Sequence, residues 1–281
     1  MKAALNADLH CHSMVSDGLL TPADVVRRAQ GNGVEFLALT DHDELGGLAE
    51  AAAAAQQVGL PFVNGVEISV SWGDDQTIHI VGLGFDREHG SLVEGLAKIR
   101  SGRDSRARRI AAELDKVGIG GAYEGALKYV GNPELISRSH FARYIVELGH
   151  VKEVKNVFDC WLAKGKPGYV AHPWASMEEA LGWIADAGGI AVVAHPGRYR
   201  LTRDEIKEML SKFKELGGVG IEVLSGSHDA SHIRNCARFA RRYGFLASRG
   251  SDFHGPGESW VDLGRLPSLP EDLTPVWTRL R

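Results

Sequence analysis

The sequence predicts an α/β fold with a parallel sheet covered on both faces. Three observations carry this. Apolar runs of strand length, such as Val34 to Leu39 and Gly189 to Ala194, alternate with helical stretches. Polar, chemistry-bearing residues follow or interrupt these runs one after another, as in a barrel whose strand ends share one face. Composition is that of an ordinary globular chain, 44% hydrophobic and 24% charged over 281 residues.

The elements follow in order. Residues 4–9 read as a short strand. Thr21-Pro22 opens a helix, Thr as N-cap and Pro at the first position, where the missing N–H costs nothing. Val34 to Leu39 is the second strand, and an alanine-rich helix follows at about 46–57. Pro61 to Ser69 and Thr77 to Phe85 form the third and fourth strands. From about Gly95 to Lys166 the spacing is helical and no strand stands out. The expected organisation is therefore a barrel made of 1–95 and 167–281, with a helical insertion at 96–166 that contributes to the substrate site. Ser176-x-x-Glu179 and Thr202-x-x-Glu205 are capping boxes that start two later helices. Gly189 to Ala194, Val219 to Leu224 and Phe245 to Ser248 supply the remaining strands.

Net charge is -4, so no global basic field draws in nucleic acid, and any polyanion must meet a local arginine cluster. Cys11, Cys160 and Cys236 form no CxxC, which argues against a disulfide framework or a thiolate zinc site. No apolar run reaches the roughly 18 residues of a membrane span, and the N-terminus runs straight into a strand-like segment. The expectation is a cytoplasmic protein without membrane contact, and nothing in the sequence indicates an obligate protein partner.

The polar residues at the strands carry the chemistry. The first strand ends at His10 and His12, with Asp17 beyond, and the second at Asp41-His42-Asp43. Glu67 and His79 sit inside the third and fourth. His195 follows the fifth, Glu222 lies in the sixth, and the last runs into Asp252 and His254. Six of the twelve histidines stand in this series, too orderly for scattered surface residues. A lone histidine at a strand end is more often structural than a ligand. The His-x-His pair differs, because in extended chain both rings face one side. Glu67 within an apolar run would be costly to bury unpaired, and a cation offsets that cost. Imidazoles and carboxylates without thiolate suit Zn, Mn or Fe at a catalytic site with open positions.

Arginine is dense from Arg100 to Arg109. On one helix, Leu96, Ile99, Arg103, Arg106, Ile110 and Leu114 would share a face, so Arg103 and Arg106 are expected to point inward. Arg100, Arg108 and Arg109 fall off that face and are expected in solvent. Two inward guanidiniums need a carboxylate or phosphate partner. Arg138 and His140, at the start of another helix, are candidates to complete a phosphate site away from the metals. Arg198, just after His195, either reaches a phosphate or is simply exposed. Asp41 and Asp43 are expected to orient rings or cap the next helix rather than bind metal.

In order, DLHCHSMVSDG, LTDHD, GVEIS, HIVG, AHPG and GSDFH resemble the PHP family, the polymerase and histidinol phosphatase domains of the amidohydrolase superfamily. The resemblance covers nearly the whole chain. It implies a distorted (β/α)7 barrel with a helical insertion and a trinuclear centre of divalent ions. Manganese is the first expectation, zinc and iron the alternatives. By that resemblance His10, His12, Glu67 and Asp252 hold one ion, and Glu67, His79 and His195 a second. Asp17, His42 and His254 hold the third. IRSGRDSRARRI and NPELISRSHFARYIVELG look like the subfamily that hydrolyses 3',5'-nucleoside bisphosphates, whose relatives trim 5'-phosphorylated RNA. The implied reaction removes the 3'-phosphate by attack of metal-activated hydroxide, with His195, His254 and Arg198 at the reacting centre. Arg103, Arg106, Arg138 and His140 would hold the 5'-phosphate. The substrate is then a small nucleotide, or a short oligonucleotide entering by its 5' end. The rival readings are a 5'-3' exoribonuclease, a histidinol phosphatase, and a metal-binding module without catalysis.

Overall fold

The computed structural model describes residues 5–73 and 76–280. Among these residues seven strands form one sheet in sequence order. They are β1 (Ala7–Asp8), β2 (Phe36–Leu39), β3 (Phe62–Trp72), β4 (Gln76–Leu83), β5 (Ile190–Val193), β6 (Gly220–Ser225) and β7 (Leu246–Gly250). The Leu9 N–H reaches the Arg249 carbonyl at 3.0 Å, so the sheet nearly closes between its first and last strands. The result is a distorted seven-stranded α/β barrel.

One strand departs from the parallel expectation. β4 runs antiparallel to both β3 and β5. Only residues 73–75 separate β3 from β4 in the sequence, and a parallel return needs a crossover of a dozen residues or more. The reversal decides where His79 goes. Ser69 pairs with His79, Glu67 with Val81 and Gly65 with Leu83, which sets His79 beside the C-terminal half of β3. In a parallel fourth strand the same histidine, near the strand start, would face the opposite mouth.

Alternation along the strands divides the core. Ile68, Ile78, Ile80, Val193 and Ile221 point to the surrounding helices, among them α1 (Pro22–Gly31), α2 (Leu48–Val58), α9 (Arg203–Glu215) and α10 (Ala230–Tyr243). Val63, Val81, Leu83, Val192 and Ala194 share a second cluster with Val276 and Trp277 of a C-terminal 3-10 turn. Glu67, His79 and Glu222 have the parity of this inner set. They project past its apolar end toward the mouth.

Helices fill the stretch between β4 and β5. They include α3 (Gly90–Arg100), α4 (Arg103–Asp115), α5 (Ala122–Leu127), α6 (Arg138–Glu147), α7 (Val154–Val157) and α8 (Met177–Asp186). Ala107, Ile110, Leu114, Ala126, Phe141, Ile145 and Leu162 form a cluster of their own. The single helix expected across residues 96–114 is two. Leu96 and Ile99 of α3 pack into the main core, while Ile110 and Leu114 of α4 belong to the separate cluster. The break falls at Ser101-Gly102, where a Cβ on Gly102 would lie 2.4 Å from the His172 ring. Among the described residues no helix is long and apolar enough to cross a membrane.

Candidate metal centre

Strand pairing continues past the strand ends and holds the polar segments in place. His42 bridges to Glu67 and Cys11 to Phe253. The Asp252 N–H donates to the His10 carbonyl and the His12 N–H to that of Phe253, both at 2.8 Å. Three non-glycine residues at this mouth have left-handed backbones: Asp43 (φ 52°), His195 (φ 26°) and Asp252 (φ 55°). Such conformations cost of order 1–3 kcal/mol each and persist only where the surroundings impose them.

Three groups of donors converge. His10 Nε2 and His12 Nε2 lie 3.2 and 3.3 Å from Glu67 Oε2, and 3.6 and 3.4 Å from Asp252 Oδ1. Glu67 Oε1 is 2.8 Å from both His79 Nδ1 and His195 Nε2. Asp17 Oδ1 lies 3.4 Å from His254 Nε2 and 3.8 Å from His42 Nε2. His42 also approaches the shared carboxylate, its Nδ1 3.0 Å from Glu67 Oε2. All nine residues expected to bind metal therefore stand in one cluster, with Glu67 at its middle.

Elementary electrostatics says what this cluster needs. Glu67 Oε2 and Asp17 Oδ1 are buried without a hydrogen bond, as are His12 Nδ1 and His195 Nδ1. His10 Nε2 and His12 Nε2 face each other at 3.2 Å, where one proton at most can stand between them. Burial raises the Glu67 carboxyl, but His79, His42 and His10 outweigh it and hold it well below the usual range. Burial and then Arg198 bring His195 down to about 4, and burial and then His12 do the same for His254. Neutral imidazoles of this kind are metal ligands. Burial also opposes a charge on His12, yet Asp252 and Glu67 lift it to about 10. That proton stands where a cation would take over the charge. Buried carboxylates among closely spaced imidazoles fit divalent metal ions.

Glu222 is a residue whose role the sequence leaves open. Its Oε1 accepts from His10 Nδ1 at 2.7 Å and its Oε2 from the His195 backbone N–H at 2.6 Å. One carboxylate thus sets a ring and a turn on opposite sides of the cluster. The available signal is a glutamate inside the apolar run of β6. Asp41 and Asp43 depart from expectation, since neither orients a ring or caps a helix. Asp41 accepts from Ser13 N–H, Ser13 Oγ and Ser16 Oγ at 2.6–2.7 Å, fixing the loop ahead of Asp17. Asp43 accepts from Ser69 N–H and Oγ at 2.7 and 2.9 Å, and also from Arg103.

Arg103 and Arg106 are buried, 5% and 6% exposed, and stand over the Trp174 ring at 5.0 and 5.1 Å. Arg103 Nε has no partner, while Arg106 Nε donates to the Val170 carbonyl at 3.0 Å. Burial, then Arg138 and Arg103, push Arg106 down to about 9. Arg138 donates to the Leu162 carbonyl at 3.3 Å and stands over the Phe158 ring at 5.8 Å. His140 caps α6, its Nδ1 accepting the Ser137 N–H at 3.0 Å, and its Nε2 is buried without a hydrogen bond. This is a cluster of cations short of counter-charge. Beside Trp174 opens a cleft of about 260 Å3 lined by Ser71, Thr77, Tyr169 and His172 among others. Arg108 and Arg109 are exposed, as expected. Arg100 is not: it donates to the Asp43 carbonyl at 2.8 Å and lies 3.3 Å from Glu44. Arg198 is half-exposed and donates to Asp252 Oδ2 at 2.7 Å.

A nearly closed α/β barrel with histidines and carboxylates gathered at one mouth defines a class, the barrel hydrolases that work with divalent metal ions. Within that class the chain belongs to the PHP family: the family model described as PHP domain matches residues 8–225. A relative from Chromobacterium violaceum, described as a 3',5'-nucleoside bisphosphate phosphatase, is 53% identical over 275 residues, covering 98% of this chain and 96% of its own. A 5'-3' exoribonuclease from Haemophilus influenzae is 40% identical, covering 97% of this chain and 98% of its own. A solved structure of an amidohydrolase from C. violaceum, with bound sulfate and no metal, superposes with TM-score 0.94 at 53% identity. It covers 98% of this chain and 95% of that one.

Proposed function

We propose that this chain hydrolyses the 3'-phosphate of 3',5'-nucleoside bisphosphates, such as 3',5'-adenosine bisphosphate, to a nucleoside 5'-monophosphate and phosphate. The observation that carries the reading is the pairing of two sites. A metal-directed cluster and a buried arginine cluster meet where Arg103 contacts Asp43, next to His42. A substrate with two phosphates has one for each. The C. violaceum relative, named for this activity and similar end to end, supports the same reading.

Bound divalent ions supply an activated water and neutralise charge on the phosphoryl oxygens. We assign three ions, manganese first. His10, His12, Glu67 and Asp252 would hold one, Glu67, His79 and His195 the second, and Asp17, His42 and His254 the third. Arg198, at the rim beside Asp252, faces the phosphoryl oxygens as charge builds. His195 and His254 stand at the reacting centre. Arg103, Arg106, Arg138 and His140, from the helical segment 96–166, hold the 5'-phosphate and so direct the 3'-phosphate to the ions. Short 5'-phosphorylated RNA is the second reading, favoured by the H. influenzae relative.

The test is phosphate or nucleotide release from a panel: a 3',5'-bisphosphate, histidinol phosphate and a 5'-phosphorylated oligonucleotide. The bisphosphate should give the highest kcat/KM. A preference for histidinol phosphate, or no turnover of any member with Mn present, overturns the proposal.

A further inference from the structure

Arg143, on α6, belongs to neither the metal-directed nor the phosphate-directed set. Its Nε and Nη2 grip Glu258 Oε1 and Oε2 at 2.8 and 2.9 Å, and Nη2 also donates to the Asp17 carbonyl at 2.5 Å. Both partners are largely out of solvent, with side chains 5% and 20% exposed. Glu258 stands in the loop behind His254. The next residue, Ser259, accepts at Oγ from the His254 and Gly255 N–H groups at 2.7 and 3.2 Å. One guanidinium therefore ties together two loops, one carrying Asp17 and the other His254. The ligand atoms of those residues lie 3.4 Å apart. Ser137, the N-cap of the same helix, adds a contact from Oγ to Asp17 Oδ2 at 3.4 Å.

A buried ion pair is by itself weak support for stability, because desolvation offsets much of the attraction. Arg143 Nη1 is moreover buried without a partner. Geometry accounts for the pair better. A planar fork can hold a carboxylate by two bonds and still reach a carbonyl, and a lysine ammonium cannot reproduce that arrangement.

We propose that Arg143 is a positioning residue: by joining Glu258 to the Asp17 carbonyl it sets the spacing of Asp17 and His254. The ion position made by Asp17, His42 and His254 then forms only while α6 is seated on the barrel. This rests on the metal assignment proposed above.

The experiment titrates the metal-stripped full chain with Mn by calorimetry and counts retained ions by mass spectrometry, for the wild type, Arg143→Lys and Glu258→Gln. One Mn per chain should be lost or bound about 10- to 100-fold more weakly in each variant, as when groups that orient a ligand are removed. The remaining ions should bind as in the wild type. Matching isotherms in all three proteins overturn the clamp alone. So does an equal weakening of every ion accompanied by lost far-ultraviolet circular dichroism, the outcome of a merely structural pair. If one variant fails to fold, the other decides by the same criteria. A wild type that binds no Mn overturns the metal assignment and the clamp with it.

Discussion

Arg103 contacts the carboxylate of Asp43, the residue immediately after His42, and so joins the arginine cluster to the metal-directed cluster. Asp43 is also held by Ser69 and has a left-handed backbone. Asp43 offsets only part of the local positive charge. Arg106 and Arg138 donate to the Val170 and Leu162 carbonyls, and Trp174 lies against both Arg103 and Arg106.

This junction predicts a split between substrates. Arg103→Ala with Arg138→Ala should raise KM for a 3',5'-bisphosphate far more than for a 3'-monophosphate. A hydrogen bond to a charged group is worth about 1.5–3 kcal/mol, so the loss of even one such bond raises KM roughly 10- to 150-fold. Steady-state kinetics on both substrates decide it, and equal effects would rule out two separate phosphate sites.

Metal removal should abolish activity. Treatment with a chelator, followed by desalting, is expected to reduce phosphate release to background, and Mn should restore it. Turnover that ignores the chelator contradicts the reading of the nine-residue cluster.

Glu222 holds both His10 and the His195 turn. Glu222→Gln should therefore lower metal affinity or kcat about 10- to 100-fold, by analogy with other groups that orient metal ligands. Circular dichroism should stay near wild type, because the amide is isosteric. A Mn isotherm and a kcat indistinguishable from wild type would count against this role.

His172 makes a pH prediction. Burial, then Arg106 and Arg103, bring it down to about 4 from an ordinary 6.5. Between those values the unfolded chain binds the proton and the fold does not, so stability rises with pH across the window. The contribution is complete above about 6.5 and is lost as pH falls toward 4. Urea unfolding of the metal-free protein at pH 7 and 4.5 should show a smaller acid loss for His172→Gln than for wild type. The same loss in both would leave the histidine without this effect.

Much of the site was legible because strand ends are local features. His-x-His, a glutamate inside an apolar run and the polar tails of later strands are visible wherever the chain goes. The fold class followed from alternating apolar runs and capping residues: Thr21 does cap α1, and Ser176 and Thr202 do open α8 and α9. The inward aim of Arg103 and Arg106 followed from spacing, although the helix assumed for it breaks at Gly102.

Other features depend on contacts between distant segments, which periodicity does not encode. The short 73–75 connection reverses β4 against β3, but its antiparallel pairing with β5 joins segments far apart in the chain, and the reversal brings His79 to the common mouth. The inward placement of Arg100 rests on its contacts with Asp43 and Glu44 in a segment distant along the chain. The links of Glu222 to His10 and of Arg143 to Glu258 span 212 and 115 residues. The sequence by itself determined which chemistry the chain carries, because residue type and local spacing are enough to name donors. Only the tertiary structure decided how those donors are held, because a buried charge finds its partner across the fold rather than along the chain.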